Sequence, residues 1–125
     1  MRRLKKRFII AAVAGFAVVS VGVAVAQDAA AGKALFTQCA VCHSIDGTNA
    51  VGPSLNSIVG RKAGTADGFR YSRAMKNSGA VWDDKTLDAY LADPQKLIPG
   101  NVMPFSGMAD PKQRADVIAY LQTLK

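Results

Sequence analysis

The chain has 125 residues, enough for one domain. Its formal charge of +7 is uneven: of 16 Lys and Arg, five (Arg2, Arg3, Lys5, Lys6 and Arg7) stand at the extreme N-terminus, and the other 11 against 9 acids leave only +2. The remainder is too evenly charged for nucleic-acid binding, and two cysteines three positions apart cannot staple distant parts of a fold.

The basic head is followed by Phe8–Ala26, a run of nineteen residues without a charge that ends in Ala24-Val25-Ala26. Head, apolar run and small-x-small ending read as a secretory signal peptide over residues 1–26, with the domain in residues 27–125. The rival reading is an uncleaved membrane anchor, because the run approaches the length needed to span a bilayer. Arg2-Arg3 also permits twin-arginine export, although basic heads often contain such a pair and the general route is preferred. Export predicts a periplasmic protein. A membrane contact is expected only if the run is retained.

A first helix is expected over about Ala29–Cys42, with Leu35, Phe36 and Cys39 at helical spacing. It leads into "QCAVCHSID", which holds both cysteines, Cys39 and Cys42, and the only histidine, His43. A redox disulfide would need a βαβ context, and the flanks look helical. Structural zinc would need a fourth soft ligand that the chain lacks. A plain disulfide over so short a loop contributes little. Cys-x-x-Cys-His is the signature of covalent haem attachment, with thioethers at Cys39 and Cys42 and His43 beside them to ligate iron. Without a second histidine, the sixth ligand is expected from methionine. Met75, Met103 and Met108 are the candidates, and Met103 is preferred because "LIPGNVMPFSGM" is a Pro/Gly-rich loop rather than a helix face.

Residues 43–70, rich in glycine, read as a long irregular stretch, unusual in a small domain unless functional. A short helix is expected near Ser72–Asn77. Another should follow the N-cap Asp83, carry Leu87, Tyr90 and Leu91 on one face, and stop at Asp93-Pro94. The last should open on Asp110 and Pro111, with Gln113 placed for a capping box, and carry the stripe Val117, Ile118, Leu121 and Leu124. "SIVG" and "AVW" are too short to count as strands.

Together "CAVCH", "GPSL", "GRKAGTADGFRYS", "VWDDKTLDAYLADPQKLIPGNVMPF" and "VIAYLQ" closely resemble class I cytochromes c, both the mitochondrial type and small soluble bacterial relatives, over nearly all of Gly32–Leu124. The resemblance implies an all-α fold with crossing N- and C-terminal helices and haem-wrapping loops. It implies one haem c and His43/Met103 ligation. Pro53 would accept the His43 ring N–H, Arg61, Tyr71 and Trp82 would surround the propionates, Tyr90 would stand beside the methionine sulfur, and Phe105 would screen the haem face. Gly32 and Phe36 would cross Val117 and Tyr120.

The implied function is one-electron transfer by a monomer, not enzymatic turnover. A cytochrome complex or dehydrogenase would be the donor, and an oxidase, peroxidase or reaction centre the acceptor. The alternative, an open sixth position for ligand binding or peroxidase-like chemistry, lacks a distal histidine. Some positions depart from the mitochondrial-type pattern. Met75 replaces an asparagine and Asn101 a threonine, while Gln38, Gln95, Val102, Ala109 and Asp110 stand where lysines are frequent. Lys96 is retained.

Overall fold

In the computed structural model, which describes residues 15–20, 22 and 25–125, the first element is set by Asp28. Its carboxylate accepts from the backbone N–H groups of Ala30 and Ala31 at 2.9 and 3.1 Å, a side-chain N-cap for α1, Ala29–Leu35. The expected helix through Cys42 is shorter than the sequence suggests: α1 tightens into a 3₁₀ turn at Phe36–Gln38, and the cysteines follow in turns. The leader expected over residues 1–26 lies largely outside the described residues. Among the described residues, no helix is long and apolar enough to cross a membrane.

The C-terminal helix α5, Pro111–Thr123, opens as expected on Asp110 and Pro111, although the Asp110 carboxylate bonds Lys112 N–H at 2.8 Å, one residue short of Gln113. The contact of α1 with α5 is the tightest in the molecule. Gly32 is buried there, and a Cβ on it would collide with the Asp116 carbonyl and touch Tyr120 Cβ at 3.0 Å. The Phe36 and Tyr120 rings meet beside it with centroids 5.2 Å apart. Asp116, 4% exposed, accepts from Asp28 N–H at 2.9 Å and from Lys112 Nζ at 2.5 and 2.7 Å, so the α1 cap is also tied to α5.

Between these helices lie α2 (Arg73–Asn77, capped by Ser72 Oγ), α3 (Asp84–Ala92, capped by Asp83) and α4 (Pro94–Leu97). The Asp93-Pro94 stop does end α3, but Asp93 turns out to be the N-cap of α4, with Pro94 in its first turn. No strand forms among the described residues. A single antiparallel bridge, Lys62 to Val81, joins the long loop to the approach of α3 and brings Trp82 beside Arg61 through Trp82 N–H to Arg61 C=O at 2.9 Å. The core runs from Phe36 through Ile58, Trp82 and Leu87 to Val117 and Leu121, and the same six residues line a cavity between the loops and helices α3 and α5.

Candidate haem site

The CAVCH segment folds as a helical turn, with Cys42 N–H and His43 N–H both donating to the Cys39 carbonyl at 3.1 and 3.0 Å. Spacings of three and four residues on such a turn put Cys39, Cys42 and His43 on one face, and all three line the cavity. Both cysteines are half-buried and no disulfide joins them. Before any attachment, burial pushes the Cys39 thiol above its ordinary value, the reverse of what a dithiol redox centre needs.

His43 Nδ1 stands 2.7 Å from the Pro53 carbonyl. A carbonyl only accepts, so Nδ1 carries a proton, and the neutral ring is the tautomer with its lone pair at Nε2. Gly52 makes this possible by close approach, since a Cβ there would lie 2.5 Å from His43 Cε1 and 2.7 Å from Nδ1. That only glycine at position 52 leaves room for the ring does not show in the sequence, where the resemblance points to Pro53 alone.

The other wall carries Met103. The Tyr90 hydroxyl donates to its sulfur at 3.9 Å, and Trp82 packs on the Tyr90 ring with centroids 4.9 Å apart. Burial pushes the Tyr90 phenol up to about 12. Arg61 donates to the carbonyls of Asn56 and Ser54 at 3.2 and 3.0 Å, bracing the loop while bordering the cavity. Tyr71 OH accepts from Ala66 N–H at 3.1 Å, which leaves its proton free to be donated. Trp82 is 7% exposed and lines the cavity.

The ten residues expected to attach, ligate or surround the haem line one cavity of about 290 Å³: Cys39, Cys42, His43, Pro53, Arg61, Tyr71, Trp82, Tyr90, Met103 and Phe105. Of the rival methionines, Met75 lines the same cavity, while Met108 is buried in the core outside it. Asn101, which stands out in the sequence only as a departure, is 5% exposed, and its side-chain carbonyl accepts from Met103 N–H at 3.0 Å. Its signal, an amide in place of a hydroxyl two residues before Met103, is visible in the sequence, but not its partners.

An aliphatic and aromatic slot with two thiols and an imidazole on one turn, a thioether from a loop, and a phenol, an indole and a guanidinium at its border suits an iron porphyrin with two carboxylates. The fold and site thus define a small all-α haem protein. Residues 29–125 match the family model described as Cytochrome c. The chain is 50% identical over 100 residues to "Cytochrome c2" of Rhodomicrobium vannielii, covering 78% of this chain and 80% of that one. It is 49% identical over 105 residues to "Cytochrome c2" of Blastochloris viridis, covering 82% and 83%. Its structure is similar to that of cytochrome cH from Methylobacterium extorquens, with a TM-score of 0.76, 50% identity, and coverage of 78% and 99%.

The chain belongs to the cytochrome c family. It is a monohaem electron carrier rather than an enzyme, with haem c attached covalently through Cys39 and Cys42, and its partners are redox proteins. The open-site alternative is not favoured.

Proposed function

We propose that this cytochrome is an exported, monomeric, periplasmic carrier in which His43 and Met103 would hold the haem iron. The donor would be a cytochrome complex or dehydrogenase, and the acceptor an oxidase, peroxidase or reaction centre. The observation that carries the ligand set is the preparation of both side chains. His43 is held in the tautomer that frees Nε2 by the Pro53 carbonyl, and the Met103 sulfur is held by the Tyr90 hydroxyl.

When bound, haem supplies a one-electron couple at its iron. The chain's own residues do the rest. The two cysteines tether the ring, and the Pro53 bond raises the basicity of the imidazole. The Tyr71 hydroxyl and the Trp82 indole offer donors to the carboxylates, with Arg61 beside them. The apolar wall of Leu87, Val117 and Leu121 excludes water, which together with thioether ligation raises the potential. With His43 and Met103 both holding the iron, the chain would leave no position there for a substrate.

The test is the absorption spectrum of the ferric holoprotein, where a sulfur-to-iron band at the red end of the visible range reports methionine ligation. The band is expected in the parent and in Met75→Leu, and should be lost in Met103→Ala. Its persistence in Met103→Ala, or its absence from the parent, overturns the assignment.

A further inference from the structure

We propose that Asn101 and Gln95 form a two-amide clamp that holds the Met103 loop shut over the cavity and so keeps outside ligands off the sixth iron position. The inference rests on the reading of Met103 as the axial ligand and goes beyond it, to what keeps that ligand in place.

No helix holds Met103. It sits six residues after the end of α4, in a segment with Pro99, Gly100 and Pro104 around it. Such a segment has many open conformations available unless something outside the backbone restrains it. A thioether is a neutral ligand, so its hold on iron depends strongly on the loop that presents it.

The restraint is visible in two side chains. The Asn101 Nδ2 donates to the carbonyls of Pro94 and Ile98, both at 2.9 Å, one at the start of α4 and one just past its end. Its Oδ1 accepts Met103 N–H at 3.0 Å. Both donors and the acceptor are used, which a threonine hydroxyl with a single donor could not do. Gln95, within α4, reaches the same loop from its other end. Its Nε2 donates to the Asn101 carbonyl at 2.8 Å, and its Oε1 accepts Gly100 N–H at 3.1 Å.

The two amides thus tie residues 100, 101 and 103 to a single helical turn. Opening the loop would break five hydrogen bonds together, three of them made by a side chain that is 5% exposed. Buried amide and carbonyl groups are costly to leave unpaired. Gln95 and Asn101 are also two of the positions at which the sequence departs from the mitochondrial-type pattern it resembles, and a hydrogen bond joins them here. Both are positioning residues, acting on the sulfur through the Met103 backbone.

Imidazole is the probe, because it competes for iron only when the loop is open, and its apparent affinity therefore scales with the open fraction. It is titrated into ferric holoprotein while the sulfur-to-iron band is followed. Asn101→Leu is expected to tighten imidazole binding by at least about tenfold. Gln95→Leu, at an exposed position, should tighten it about threefold, and the double variant by less than the product of the two, because Gln95 bonds Asn101's own carbonyl. Asp116→Asn, on α5, should lower the urea midpoint without changing imidazole affinity, which separates loop opening from general loss of stability.

Affinity within twofold of the parent in Asn101→Leu overturns the clamp while leaving Met103 as ligand. If Asn101→Leu fails to mature, Gln95→Leu decides, and unchanged affinity there overturns the clamp. A parent with no sulfur-to-iron band removes the Met103 reading and the clamp with it.

Discussion

Tyr90 is the residue on which site chemistry and pH meet. Its ring is buried against Trp82, its hydroxyl points at the Met103 sulfur, and burial raises its pKa from 10.0 to about 12. The phenol therefore stays protonated, and remains a donor, across any physiological pH. The folded value lies above the unfolded one, so Tyr90 leaves stability intact below pH 10 and withdraws it as pH climbs from there toward about 12. Ultraviolet titration should find one tyrosine ionising near that upper value, a phase that Tyr90→Phe removes. The same substitution should lower the reduction potential, because a donor to the sulfur makes the thioether a poorer partner for ferric iron. At 3.9 Å the bond is at the weak end, so a shift of about 20–40 mV is expected from a contribution of about 0.5–1 kcal/mol. A rise in potential, measured by equilibrium redox titration, would contradict the assigned sense of this bond.

Among the elements, the α1/α5 crossing is where the fold is closed. A seven-residue helix has no independent stability, so α1 exists because its Gly32 face docks on α5. Gly32→Ala tests this directly, since two effects oppose one another. Helix propensity favours alanine by up to about 1 kcal/mol. Against it stands overlap with the Asp116 carbonyl, a backbone atom that cannot swing aside, and overpacking of this kind costs about 1–3 kcal/mol or more. The overlap should win, with a net loss of about 2 kcal/mol in urea unfolding and an unchanged m-value. A higher midpoint would mean that the two helices can separate freely, and the crossing would lose its place as the fold's closure.

Taken whole, the molecule is built around a cavity rather than a continuous core. Ile58, Trp82, Leu87, Val117 and Leu121 belong to the core and also face the cavity. Without haem these five side chains would lose the packing partner on one face, in a domain whose whole stability is about 5–15 kcal/mol. Haem attachment should therefore be a condition of folding. Cys39→Ala with Cys42→Ala is expected to yield a protease-sensitive chain without native helical circular dichroism, and native-like dichroism in that double variant would refute this.

The surface at the cavity mouth suggests how a partner docks. Val51 and Val102 line the mouth at 76% and 75% exposure, and Val41 between the cysteines is 78% exposed. Lys112 is tied to Asp116, so it cannot join Lys33 and Lys96 in a free basic patch. Steering by charge should be weak, and stopped-flow electron transfer to the natural partner should change by less than about threefold as salt is raised to roughly 0.2 M. A steep fall would bring back docking on an acidic face.

What the sequence determined by itself is whatever one turn of chain encodes. The cysteine and histidine spacing fits a helical turn, and Asp83 and Asp110 are legible as helix starts because a cap bonds N–H groups two or three residues on. The pairing of His43 with Pro53, and of Tyr90 with Met103, came only through resemblance, since spacings of ten and thirteen residues carry no periodic signal. Beyond both kinds of reading lay the shortening of α1 into a 3₁₀ turn, the fit of Gly52 against the His43 ring, the start of α4 on the residue that ends α3, and the grip of two amides on the methionine loop. Those were decided by tertiary structure, because each depends on how the chain closes around a cavity, and groups that meet there are chosen by shape and unpaired hydrogen-bonding capacity rather than by any repeat along the chain.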